Sequence, residues 1–214
     1  MGTPPDSSAA IKRLLQDTPN LWRGTEHADV VAISSGFTAL DDVLPDGGWP
    51  CGSLIEITAT TFGIGEFALI VPALKKIATQ SKHVALVRPP HMPYPPALHG
   101  AGLPLKQLLW VTESAEPDAL WAAEQLLREG AGAVAIWSDT NDRTLLRRLQ
   151  LAAESGRALG FLYRSAKAGG QPSPAAVRIG LLPLGEMLRL ELTKVRRGQP
   201  ATISLEIPWG PARV

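Results

Sequence analysis

The run Leu54-Ile55-Glu56-Ile57-Thr58-Ala59-Thr60-Thr61-Phe62-Gly63-Ile64-Gly65-Glu66 constrains this chain more than any other segment. An apolar, β-branched stretch leads into a glycine-bearing turn, and apolar residues at helical spacing follow. That is the strand–loop–helix setting of a phosphate-binding loop. Such a loop reads G-x-x-x-x-G-K followed by Ser or Thr: backbone N–H groups cradle phosphate, the Lys neutralises it, and the hydroxyl holds magnesium. With Gly63 as the second glycine, Ile64 and Gly65 take the Lys and hydroxyl places. With Gly65 in that role, Glu66 and Phe67 take them. Neither register supplies a Lys or a hydroxyl. The expectation is a nucleotide-binding fold without nucleotide chemistry.

Strand and helix signals alternate downstream. Phe67, Ile70, Val71, Leu74, Ile77 and Ala78 share a helical face, which Pro72 should kink or break. Strands are expected at 84–87, 108–111, 134–137 and 159–163. Pro117 opens a helix through Leu120, Ala123 and Leu127 that Gly130 stops, and Leu145, Leu149 and Ala152 line a second that Gly156 ends. Trp121 on the first of these helices either packs in the core, the preferred reading, or faces a partner. This order predicts an α/β fold, a mainly parallel sheet flanked by helices on both faces. After Ser165 the character changes: residues 167–174 are rich in Gly, Pro and Ser, and three strand-like segments follow at 177–182, 187–192 and 202–207. They read as antiparallel C-terminal additions.

Composition narrows the class. The 214 residues are 45% hydrophobic and 19% charged, enough for one packed domain. The expected division is a mobile N-terminal segment, residues 1–30, carrying a short helix and a Leu21-Trp22-Arg23 anchor, and a single domain over 31–214. A net charge of +1 provides no global attraction to nucleic acid, so a basic site must be local. One cysteine, Cys51, excludes an internal disulfide and suits a reducing compartment. No apolar run approaches about 18 residues, so neither a signal peptide nor a membrane span is indicated, and a cytoplasmic location is expected.

Specific blocks resemble the RecA core. Ile33-Ser34-Ser35-Gly36-Phe37-Thr38-Ala39-Leu40-Asp41 resembles that family's ISTG-x-x-x-LD approach, and Gly47-Gly48-Trp49-Pro50-Cys51-Gly52-Ser53-Leu54-Ile55-Glu56-Ile57 resembles its GGLP-x-G entry to the loop. A closer resemblance is to the ImuA family, RecA-like proteins associated with translesion synthesis and also grouped with SulA. It is carried by Leu21-Trp22-Arg23-Gly24, Leu44-Pro45-Asp46-Gly47-Gly48-Trp49-Pro50, Gly63-Ile64-Gly65-Glu66, Pro89-Pro90-His91-Met92-Pro93-Tyr94, residues 119–125 and residues 146–154.

Against the RecA pattern, the loop Lys falls on Gly65 and the magnesium-binding Thr on Glu66. The Glu that positions the attacking water falls on Pro90. The strand-end Asp falls on Ser138, with Asp139 one place later. Phosphoryl transfer rests on positioning and charge stabilisation, so these losses remove its main terms. The expectation is therefore no enzyme, no cofactor and no metal, with Gly63, Gly65, Glu66, Ser138 and Asp139 as a degenerate nucleotide site. Two readings of Glu66 stand open. Its carboxylate takes a phosphate's place at the N-terminus of the following helix, or it is an exposed first-turn residue.

Other candidates carry less. His91 with Asp139 lacks a nucleophile for general-base work. Cys51 reads as a packed turn residue. Lys194, Arg196 and Arg197 form a basic hairpin turn that DNA phosphate would suit, with Arg128, Arg143, Arg147 and Arg148 as an extension; a solvated basic turn explains them equally well. The resemblance implies a non-enzymatic mutasome adaptor in SOS-induced translesion synthesis. It would bind RecA and an ImuB-type inactive Y-family polymerase homologue, and act indirectly with a mutagenic C-family polymerase, possible surfaces being Leu21, Trp22 and Arg23 and the region from Val177. Alternatives are a SulA-like cell-division inhibitor and a DNA-dependent ATPase.

Overall fold

A computed structural model describes residues 31–113 and 115–207. The anchor Leu21, Trp22 and Arg23, with the rest of the N-terminal segment, lies outside the described residues. A two-stranded antiparallel entry, β1 (Ala32–Ile33) with β2 (Trp49–Pro50), encloses the short helix α1 (Thr38–Asp41). Asp41 fixes this entry by accepting from Ser34 Oγ at 2.6 Å and Ser35 N at 2.7 Å.

The main sheet has eight strands. In chain order they are β3 (Ser53–Ala59), β4 (Val84–Val87), β5 (Leu108–Val111), β6 (Ala133–Trp137), β7 (Leu159–Ser165), β8 (Val177–Leu184), β9 (Met187–Val195) and β10 (Ala201–Glu206). In space the order is β10-β9-β8-β3-β7-β6-β4-β5. Six strands, β3 to β8, run parallel, and β9 and β10 add antiparallel at one edge. This is a mainly parallel α/β sheet consistent with a RecA-like core.

One of the three late strands departs from expectation. β8 is not antiparallel; it lies parallel to β3, on the side away from β7. The Gly/Pro/Ser loop is what permits this. Residues 166–176 span roughly 35 Å when extended, ample to return along a strand of β7's length without a crossover helix.

Alternation along the strands builds two cores. Ile55, Ile57, Val84, Leu86, Phe161 and Tyr163 point to one face, where α2 (Val71–Thr79) packs Leu74, Ile77 and Ala78. Leu54, Ala85, Val87, Val134, Ile136 and Leu162 point to the other. There α4 (Glu116–Arg128) and α5 (Arg143–Gly156) bury Leu120, Ala123, Leu127, Leu146 and Leu149. Between β4 and β5 lies a short helix, α3 (Pro95–Gly100).

Three helical details sharpen or correct the sequence reading. α2 begins at Val71 rather than Phe67, because Pro72 lacks an N–H and sits in the first turn, where no partner is needed. Gly36, at φ +87°, meets that turn so closely that a Cβ would lie 2.5 Å from Pro72 Cβ. α5 ends at Gly156 as expected, but the left-handed residue is Arg157, at φ 51°, and Gly156 itself serves close packing, since a Cβ there would sit 1.9 Å from Leu127 O. Finally, Trp121 is not core but 60% exposed. The buried stripe of α4 runs through Ala119, Leu120, Ala123 and Leu127, and Trp121 falls about 100° past Leu120, off that stripe.

Among the described residues, no helix is long and apolar enough to cross a membrane.

Candidate functional site

β3 delivers the chain to the end of the sheet where a phosphate-binding loop would open. Gly63 and Gly65 both adopt left-handed backbone, at φ +87° and +98°, which turns successive N–H groups toward one point. That point is filled from within the chain. Glu66 accepts from Gly63 N through both carboxylate oxygens at 3.0 Å, and from Ile64 N through Oε2 at 2.9 Å. The residue is 6% exposed.

This corrects both open details of the earlier expectation. Glu66 is not an exposed first-turn residue, and it does not sit at the N-terminus of α2, which starts at Val71. The groups holding its charge are loop amides, not a helix terminus.

The backbone of Glu66 is tied as well. Tyr163 Oη donates to its carbonyl at 3.0 Å. Tyr163 stacks on Trp137 with ring centroids 4.8 Å apart, and Phe67 lies 6.1 Å beyond. Burial, and then the nearby Glu66 charge, push the Tyr163 hydroxyl well above the usual phenol range. It therefore stays a neutral donor.

Beside this plug lies a cavity of about 340 Å³, walled mainly by Phe67, Val71, Leu86, Pro90, Tyr94 and Trp137. His91 also lines it. Where the RecA pattern puts a water-positioning carboxylate, the wall holds Pro90.

Ser138 and Asp139 are engaged elsewhere. Ser138 Oγ donates to Glu116 Oε1 at 2.6 Å and accepts from Thr140 N at 3.1 Å, while Asp139 Oδ1 accepts from Ser165 N at 2.7 Å. Both brace the ends of β6 and β7, and no hydrogen bond or ion pair joins Asp139 to His91 or Glu66 among the described residues.

The side chains of the basic hairpin take different partners. Lys194 Nζ donates to Ser173 O at 2.9 Å, and its pKa is lowered by burial and then by Arg196 and Arg178. Arg197 instead pairs with Asp46 at 3.0 Å. Arg196 is exposed. The extension along the helices is also partly neutralised, since Arg128 and Arg148 converge on the buried carboxylate of Glu124.

A second charged site was not anticipated. Glu56, fully buried in β3, takes Arg164 of β7 at 3.2 Å and Arg178 of β8 at 2.9 Å. Arg164 also donates to Thr140 O and Asn141 Oδ1, each at 2.7 Å. The signal in the sequence was a charge inside each of three apolar strands, in Leu54-Ile55-Glu56-Ile57, Leu162-Tyr163-Arg164 and Val177-Arg178-Ile179.

Cys51 is half-buried, and burial raises its thiol pKa against the opposing pull of Lys82. Among the described residues no three His, Cys, Asp or Glu side chains gather as a metal site would need.

Comparison with known proteins places this geometry in context. The chain is 32% identical over 108 residues to the protein RecA of Listeria welshimeri serovar 6b, of Listeria monocytogenes serotype 4a and of Listeria ivanovii. The match covers 50% of this chain and 31% of each relative, so it spans less than a third of their length. No protein-family model matches the chain. Together with the sheet order, this similarity supports a place in the RecA-like superfamily.

Proposed function

We propose that this chain is a non-enzymatic, RecA-like adaptor of SOS-induced translesion DNA synthesis. It binds RecA and an ImuB-type polymerase homologue, and through them supports a mutagenic polymerase. The similarity to RecA supports the DNA-repair setting. The resemblance to the ImuA family, carried by the blocks named above, supports the adaptor role.

One observation carries the non-enzymatic part: the Glu66 carboxylate already holds the loop amides that a phosphate would need. An incoming phosphate oxygen about 4 Å from that charge meets about 4 kcal/mol of repulsion at an effective dielectric of 20. That is about a thousandfold in affinity, before the missing Lys and magnesium-binding hydroxyl are counted.

With nucleotide chemistry set aside, outer surfaces do the work. Trp121 on α4 and Trp110 on the edge strand β5 are 60% and 45% exposed, and aromatic side chains are frequent anchors of protein contacts. Bound as a cap to a RecA protomer, such a protein limits filament growth.

Co-purification of the full chain with RecA and with the polymerase homologue tests the proposal. Retention of both partners, weakened by Trp121→Ala, is expected. If neither partner is retained, the adaptor role is rejected; filamentation on overexpression in a host lacking the mutagenic polymerase would then point to the division-inhibitor alternative.

A further inference from the structure

The cavity beside Glu66 has the opposite electrostatic sign to a phosphate site. Its volume of about 340 Å³ falls at the lower end of the range of ligand pockets, roughly 300–1,000 Å³. Glu66 supplies its acidic wall, and among the described residues neither Lys nor Arg lines it. Both Glu66 oxygens are held by uncharged amides, and no Lys or Arg among the described residues forms an ion pair with them. A carboxylate held only by neutral dipoles still attracts a cation.

The remaining wall suits an organic cation rather than a hydrated metal ion. Phe67 and Trp137 lie with ring centroids 6.1 Å apart, and Tyr94 stands at the rim, 68% exposed. Aromatic rings draw an ammonium group through their quadrupoles, and the apolar surface covers its alkyl groups. One buried donor also calls for a partner. Trp137 is only 9% exposed, and its indole N–H has none among the described residues. A ligand that brings an acceptor removes that cost. Tyr163 links the two groups: its Oη donates to Glu66 O at 3.0 Å, and its ring stacks on Trp137 at 4.8 Å. Carboxylate and indole thus flank one tyrosine, so cation and acceptor must lie close together in the ligand. Pro89, Pro90 and Pro93 fix much of the wall in advance.

We propose that this cavity binds a small organic ammonium ion carrying an oxygen acceptor within a few bonds of its nitrogen. The cation lies against Glu66 and the Phe67 ring, and the oxygen accepts from Trp137 Nε1. The carboxylate that repels phosphate is the one that draws the ammonium in. A partner's lysine side chain has the charge, but four methylenes separate its nitrogen from its own backbone, so a free ligand fits better. The inference needs Glu66 at the loop and is independent of the adaptor role.

Titration of the full chain with choline, followed at the indole N–H resonance of Trp137, tests it. The sequence has 6 tryptophans, and the Trp137 resonance is the one lost in Trp137→Phe. The expected result is a saturable shift, with affinity about tenfold above that for 3,3-dimethylbutanol, the uncharged molecule of the same shape. Glu66→Gln should remove this preference. Ala101→Leu, which leaves Glu66 in place and narrows the cavity, should weaken choline by a similar factor. Nα-acetyl-lysine methylamide should bind more weakly than choline. Absence of a saturable shift with choline overturns the proposal, as does equal affinity for the uncharged molecule. Choline binding that survives both variants overturns it too, because the ligand is then held elsewhere. Tighter binding of the lysine amide would assign the cavity to a partner's side chain and reject a free ligand.

Discussion

Two buried carboxylates lie near the ends of the same short stretch of chain, and they find their partners by opposite means. Glu66 is held by the amides of Gly63 and Ile64, groups within three residues of it. Glu56 is held by Arg164 and Arg178, two arginines from the neighbouring strands on either side of β3. The first arrangement lies within four consecutive residues. The second exists only when the sheet is assembled. The carboxylate's partners at the loop site are thus local in the chain, and those at the strand site come from the tertiary fold.

The difference sets an order of expected effects. Arg164→Met should have the largest, since it leaves Glu56 buried with only one of its partners. Loss of one member of a buried pair typically destabilises by about 3–5 kcal/mol. Urea unfolding would measure it, and a loss under about 1 kcal/mol would break the comparison by showing that Arg178 alone suffices.

Glu66→Ala comes next. It strands two loop N–H groups and should destabilise by about 1–3 kcal/mol. Hydrogen exchange should speed at Gly63 and Ile64 while the amides of β7 and β8 stay protected. Faster exchange spread through β7 and β8 would show that the loop is not a separate local unit.

Trp121→Ala is expected to change stability by no more than about 0.5 kcal/mol, because the ring packs on solvent. A larger loss in thermal unfolding would return Trp121 to the core.

The smallest effect concerns Cys51. Its raised thiol pKa means less thiolate at any given pH, so alkylation at pH 8 should run slower than for an ordinary cysteine and quicken as pH rises. Reaction at the ordinary rate would contradict the burial that raises the pKa.

Much of the fold was legible because periodicity is local. The strands at 84–87 and 108–111 and the helix opened by Pro117 fall where apolar spacing and turn residues put them. What was not legible depended on distant chain. The parallel direction of β8 is decided by where the loop at 166–176 lands, which no spacing encodes. Gly156 does end its helix, but the close approach of Leu127's carbonyl on another helix is a constraint that no local signal carries. Lys194 and Arg197 are close in sequence, but one meets Ser173 and the other Asp46, partners that no spacing names. At the loop, sequence identified Glu66 as the misplaced residue, while its inward turn onto Gly63 and Ile64 required coordinates.

The central claim is that the Glu66 carboxylate holds the amides a triphosphate would need. Calorimetric titration of the full chain with Mg-ATP tests it most directly. The account predicts no saturable heat for the native protein. A saturable isotherm with micromolar affinity would contradict it.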